Sequence, residues 1–311
     1  MTGAQPTVVF MYSPSSYKPT RFCFKWLARA VRQGLITLSL AVCFTVSVSR
    51  AAPIATNTAL PISSDEVIVR VQLVTTHASD HLGVMNRHVD RFEARTVLGY
   101  GLTPKLALFG VLPLVNVDRT LGDVNTSDFG LGDAALFARY EVIRSDKPGQ
   151  TLRIAPFAGL GFPTGRVGQT GDGSLDVFGG LIATVANTKW VLDSQLRHDF
   201  NRESNGFERG DSTSFDTSLQ YRLAPGKVAQ DTRSFVFGVL EISANYYEHN
   251  RVSGVTDPNS GGFLLYLTPG LQYSTRRWIA DLGFRTPIVI DLNGNALEPD
   301  YSILTSIRIN F

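Results

Sequence analysis

The C-terminal segment Tyr301–Phe311 alternates between two kinds of side chain. Tyr301, Ile303, Thr305, Ile307, Ile309 and Phe311 fall on one face; Ser302, Leu304, Ser306, Arg308 and Asn310 fall on the other. Successive side chains of a strand point to opposite sides, so this segment reads as a strand with one apolar, aromatic face and one mostly polar face. The pattern recurs upstream. Trp278, Ala280, Leu282, Phe284 and Thr286 alternate with Ile279, Asp281, Gly283 and Arg285. Phe215, Thr217, Leu219, Tyr221 and Leu223 alternate with Asp216, Ser218, Gln220 and Arg222.

Strands are expected at about 66–76, 90–101, 105–117, 129–142, 151–162, 174–186, 189–200, 212–223, 233–247, 262–274, 277–290 and 301–311. An even number suits a bacterial membrane barrel, in which the apolar face meets lipid and the polar face lines the lumen. The same alternation in a soluble sandwich would put the polar face outside, so the connections must decide. On one side they are Leu102-Thr103-Pro104, 143–150, Asn187-Thr188, 224–232 and Ser274-Thr275-Arg276. On the other they are 77–89, 118–128, 163–173, 201–211, 248–261 and 291–300, rich in Asp, Asn, Gly and Ser. Short turns opposite long polar loops are the asymmetry of an outer-membrane barrel. The fold class expected is all-β: one antiparallel transmembrane barrel of about twelve strands over residues 66–311.

The N-terminal part differs from the rest. Lys18, Arg21, Lys25, Arg29 and Arg32 precede an apolar run, GLITLSLAVCFTVSV, and then Ser49-Arg50-Ala51. A basic stretch, an apolar stretch and a small-residue cleavage site make a secretory leader, here residues 1–51. The run is shorter than the roughly 20 residues of a spanning helix. Residues 52–65 are expected to be a periplasmic N-terminal segment. Without the leader, 23 basic and 27 acidic residues remain, which leaves nothing to suggest a nucleic-acid partner, and both cysteines, Cys23 and Cys43, lie within it.

Two stretches carry a family resemblance. Gly130-Leu131-Gly132-Asp133, running on to Arg139-Tyr140, and Gly159-Leu160-Gly161-Phe162-Pro163-Thr164-Gly165 resemble segments of an outer-membrane transporter family associated with the meta-pathway of phenol degradation. That family belongs to the transmembrane β-barrel superfamily. Phe162 stands where that family usually has Leu. The resemblance implies a porin-like barrel in the outer membrane of a Gram-negative bacterium, for uptake of aromatic or other hydrophobic small molecules. Read from the residues alone, glycines beside a long loop fit a bend at a barrel rim, and Pro163 fits a strand end because it cannot donate to a ladder.

Alternation places Asp133, Phe137, Arg139, Glu141, Arg197, Asp216, Asp281 and Arg285 on the lumen face. These are the candidate lumen-lining residues. Their charges are mixed, whereas a channel selective for one ion sign needs a ring of one charge.

No cofactor or metal site is expected. His77, His81 and His88, with Asp80 and Asp90, read as solvated residues of the first loop. Arg202-Glu203-Ser204-Asn205-Gly206 resembles the His-x-Ser-Asn-Gly segment of outer-membrane phospholipase A, but Arg202 replaces the histidine that would take the serine proton. No enzymatic activity is therefore expected, and transport is the function that the family resemblance implies. The alternative is a non-conducting structural or surface-interaction barrel, with a lipid-modifying enzyme last. Expected partners are outer-membrane lipid, periplasmic chaperones and the barrel-assembly machinery. The terminal Phe311 resembles the assembly signal that this machinery reads.

Overall fold

The computed structural model describes residues 51–311 apart from 83–84 and 230–231, so residues 1–50 of the expected leader lie outside the described residues. Twelve antiparallel strands close into a barrel. They are β1 (Val67–Leu82), β2 (Met85–Gly101), β3 (Leu106–Leu121), β5 (Gln150–Phe162), β6 (Asp176–Asn187), β7 (Trp190–Phe200), β8 (Ser212–Ala224), β9 (Ser234–Tyr247), β10 (Gly262–Thr275), β11 (Trp278–Leu292) and β12 (Pro299–Asn310), with β4 interrupted into Val124–Leu131, Ala134–Tyr140 and Ile143–Lys147. Each pairs with its sequence neighbours, and β12 returns to β1 with Asn310 opposite Ile68 and Tyr301 opposite His77. Closure satisfies the backbone groups that an open sheet would leave at its edges.

Burial is inverted relative to a soluble protein. Gln220, Glu241 and Gln272 are at most 1% exposed, whereas their chain neighbours Leu219, Leu240 and Leu271 are 42–56% exposed. The same contrast separates buried Ser302, Leu304 and Ser306 from exposed Ile303 and Ile307. Water would not tolerate this outer surface, because contiguous apolar patches of such extent mark contact with a membrane or partner. A band of Leu, Ile and Phe around a closed barrel is the lipid face of a membrane-spanning one.

Two connections at the loop end differ from expectation, and at the other end 143–147 of the expected 143–150 turn is strand. Residues 77–82 and 85–89 are strand and not loop: β1 and β2 pair from Val67 opposite Tyr100 to Leu82 opposite Met85. Residues 118–128 are likewise mostly strand, with Asp118 opposite Ser127 and Leu121 opposite Val124. These strand ends rise beyond the apolar band. Once clear of lipid the outward face no longer has to be apolar, so strand persists while the period-two hydrophobic signal disappears. Residues 163–175, 201–211 and 248–261 remain long connections at this loop end, and the last two carry a small three-stranded sheet from Phe207–Glu208, Arg251–Val252 and Val255–Thr256. At the opposite, short-turn end the connections are 102–105, 148–149, 188–189, 225–233 and 276–277.

Most of the N-terminal segment expected at 52–65 lies in the barrel interior. Ala51, Ala52, Ile54, Thr56, Ala59, Leu60 and Ile62 are all buried. Ile54 packs with Val239 and Leu304, Ala59 with Phe157 and Ile182, and Ile62 with Ile68 and Ala107. These partners come from well-separated strands, so the segment crosses the lumen.

Candidate functional site

The lumen divides into a cavity toward the loop end and a packed layer below it. The cavity has a volume of about 570 Å³. Its wall carries Arg91, Glu93, Arg95, Asp133, Arg197 and Asp199, with Phe178 among the lining residues. Arg95 and Arg91 reach Glu93 at 2.8 and 3.3 Å, and Arg197 pairs with Asp199 at 2.5 Å. The charges therefore neutralise one another locally and make no ring of one sign. Arg197 also places its guanidinium 4.1 Å from the centroid of Phe178, a cation–π contact.

Asp133 occupies the first interruption of β4. Its carboxylate accepts the Gly165 N–H at 2.9 Å and the Asp172 N–H at 3.0 Å. Beside it, Thr164 donates from Oγ1 to Gly132 O at 2.7 Å and accepts from the Ala134 N–H at 2.8 Å. The two motifs noted in the sequence thus bind each other and fold the 163–173 loop over the break in the strand. A Cβ on Gly171 would stand 2.4 Å from Asp133 Oδ1, so a side chain there would push the carboxylate off its two N–H donors.

Below the cavity lies an aromatic layer. Phe137 stacks on Phe109 with centroids 4.6 Å apart and meets Phe157 and Phe178 edge-on at 6.1 Å. Arg139 covers the Phe109 ring at 5.0 Å and donates to Thr58 O and, at 2.8 Å, to Leu60 O.

Lumen side chains hold the 51–62 segment by its backbone. Glu241 accepts from the Ile54 N–H at 2.7 Å and the Ala55 N–H at 2.9 Å, one per carboxylate oxygen. Arg70 and Gln72 both donate to Ile54 O at 2.6 Å. Gln272 accepts from the Ala52 N–H at 3.0 Å and donates back to Ala52 O. Farther along, Asn57 donates to Gln195 at 2.7 Å and the Ala59 N–H to Thr184 Oγ1 at 2.8 Å. An irregular segment in a lumen has no ladder partner, and these side chains supply the bonds its buried backbone needs. The lumen glycines make the space: a Cβ on Gly283 would meet Ile54 Cγ2 at 3.3 Å.

Residues 87–286 match the protein-family model described as "Putative MetA-pathway of phenol degradation". The chain belongs to that family. Comparison with curated proteins returns no match. Among solved structures it is similar to an outer-membrane channel from Pseudomonas putida F1, at 17% identity and TM-score 0.62, covering 84% of this chain and 100% of that one. It also matches the β domain of the Bordetella autotransporter BrkA, at 14% identity and TM-score 0.47, over 80% of this chain and 100% of that one. The translocator domain of the autotransporter NalP from Neisseria meningitidis matches at 11% identity and TM-score 0.43, over 94% and 100%. The first likeness carries the barrel fold.

The lumen-face residues separate into groups. Asp133 and Arg197 share the cavity wall, and Phe137 and Arg139 lie in the layer beneath. Glu141 is toward the short-turn end, paired with Arg153 at 3.0 Å. Asp216, Asp281 and Arg285 belong to other parts of the wall. Asp216 lies opposite Ser243 in the β8–β9 register. Asp281 takes a hydrogen bond from Ser306 at 2.6 Å with Arg70 at 3.5 Å, and Arg285 lies 5.3 Å from the Tyr266 centroid. Sequence reasoning passed over Gln72, Thr184, Gln195 and Gln272 as anchors. Their only signal was uncharged polarity on a lumen face.

The serine segment does not assemble a charge relay. His198 Nδ1 meets Thr213 Oγ1 at 2.8 Å and its Nε2 lies 4.0 Å from Asp211, while Ser204 Oγ accepts from Asn205 Nδ2 at 3.1 Å. Phe311, at the seam, donates its N–H to Val67 O at 2.9 Å and is 73% exposed.

Proposed function

We propose that this chain is an outer-membrane channel of a Gram-negative bacterium that takes up small hydrophobic or aromatic molecules, with its lumen closed by residues 52–62. The carrying observation is the cavity at the loop end, where mixed charges surround Phe178 above the Phe109–Phe137 stack. An aromatic face and paired guanidinium and carboxylate groups suit an aromatic ring with a polar or anionic substituent. The family description names phenol degradation, and the Pseudomonas putida relative is described as a channel, which supports the same reading.

On this reading the loop end faces outward and the short-turn end faces the periplasm, where the leader is removed and chaperones deliver the chain to the barrel-assembly machinery. Passage requires the inner segment to move. Ion current through a planar bilayer containing the purified protein tests this, with benzoate-like solutes added on the loop side. Current that the aromatic solutes reduce and a sugar of equal size does not is the expected result. No current and no solute entry into liposomes would favour the second reading, a non-conducting surface barrel, which the buried backbone of the inner segment supports. No catalytic role is assigned.

A further inference from the structure

Outside the lumen, where β1 and β2 rise above the apolar band, three metal-ligating groups converge. His77 stands opposite Asp90 in the β1–β2 register, and His88 precedes Asp90 by two positions, which puts it on the same face of β2. Parity sets this face outward, in line with Leu73 and Thr75 of β1 and with Phe92 of β2. His77 Nδ1 lies 2.8 Å from Asp90 Oδ1, and His88 Nε2 lies 2.7 Å from Asp90 Oδ2. One donor atom from each residue falls within 4.8 Å of the other two. All three side chains are partly exposed, so an ion can reach them from water.

We infer that His77, His88 and Asp90 form a binding site for a divalent transition-metal ion of the zinc type on the outer face of the barrel. Two imidazoles and a carboxylate favour zinc, nickel or copper over calcium or magnesium, which take oxygen ligands. Metal–donor bonds near 2.0–2.2 Å need donor atoms roughly 3.3 Å apart, so the ion replaces the two hydrogen-bonding protons with a small spreading of the side chains. Three protein ligands leave one tetrahedral position for water.

A second observation points the same way. His77 Nε2, the nitrogen facing away from Asp90, lies 3.7 Å from Asp300 Oδ2, and that oxygen accepts a hydrogen bond from Ser79 Oγ at 2.7 Å. The 3.7 Å gap exceeds a hydrogen bond, but Asp300 neighbours the far nitrogen on the side where proteins set a carboxylate to orient a metal-ligating histidine. Tyr301 stacks on the His77 ring at 5.2 Å with an interplanar angle of 21°, and Phe284 stacks on Tyr301 in turn, at 5.8 Å. The His77 ring is thus held by two strands besides its own. Asp300 and Tyr301 belong to β12, so the ion would tie β1 and β2 to the seam at which the barrel closes.

The test is calorimetric titration of tag-free, detergent-solubilised protein with Zn²⁺, repeated with Co²⁺ followed by its visible absorption. One saturable site with a tetrahedral cobalt spectrum is expected. His88→Gln and Asp90→Asn should each weaken binding at least about tenfold. His81→Gln, whose imidazole instead meets Asn86 at 2.7 Å, should leave binding unchanged. Heat-modifiable gel migration confirms that each variant remains a folded barrel. Absence of saturable binding to the unaltered protein overturns the site. So does undiminished binding by folded His77→Gln or His88→Gln, or loss of binding on His81→Gln.

Discussion

Glu241 holds Ile54 by its backbone: one carboxylate oxygen takes the Ile54 N–H at 2.7 Å, and the other takes the next N–H along the chain. An acid 1% exposed inside a barrel would be costly without such partners. The bond pair makes Glu241 an anchor of the inner segment. Replacing it by Gln turns one acceptor oxygen into a donor that faces an N–H. A charged hydrogen bond contributes about 1.5–3 kcal/mol, so Glu241→Gln should raise the open-to-closed ratio by about 10- to 100-fold. Single-channel open probability is the readout.

Crowding should act in the same direction as loss of the anchor. Gly283→Leu introduces a side chain where only 3.3 Å separates a Cβ from Ile54 and 3.2 Å from Thr268. Both neighbours are side chains, so the barrel wall can persist while the segment is displaced. Thiol labelling of an Ala55→Cys reporter, specific because Cys23 and Cys43 both lie in the expected leader, should be faster in this background than in the parent barrel.

Arg197→Gln removes the cation from the Phe178 face and the partner of Asp199. Binding of anionic aromatic solutes in the cavity should weaken by about 1–2 kcal/mol, or roughly tenfold, with smaller effect on neutral aromatics. Solute-dependent current block measured for benzoate and for phenol separates these two outcomes.

Phe137→Ala opens a hole between Phe109, Phe157 and Phe178. Phe-to-Ala changes in a packed cluster cost about 3–5 kcal/mol, and the urea midpoint of barrel unfolding should fall accordingly.

Appending a polar residue after Phe311 would displace the aromatic from the last position of the strand's apolar face. The fraction of heat-modifiable protein recovered from the outer membrane should drop. Normal insertion of that variant would count against the terminal-aromatic signal.

The barrel was legible because lipid and lumen impose opposite demands on alternate residues, so Leu219-Gln220 and Leu240-Glu241 write the wall directly into the chain. Legibility ended where those demands end. Around His77 and Asp118 the strands stand clear of lipid, and their outward residues are as polar as those of a loop. The inner segment gave no periodic sign either: Ile54 answers to Arg70, Gln72 and Glu241, three residues from two strands far apart in sequence. Alternation could place Arg139 and Arg197 inside the barrel. It could not tell that one grips the segment while the other faces the cavity.

The most direct measurement is planar-bilayer conductance of the barrel with and without residues 52–62, each preparation checked for folding by heat-modifiable migration. A parent that opens rarely and a deletion variant with steady, larger conductance are predicted. Equal conductance of the two folded proteins would contradict closure of the lumen by the inner segment.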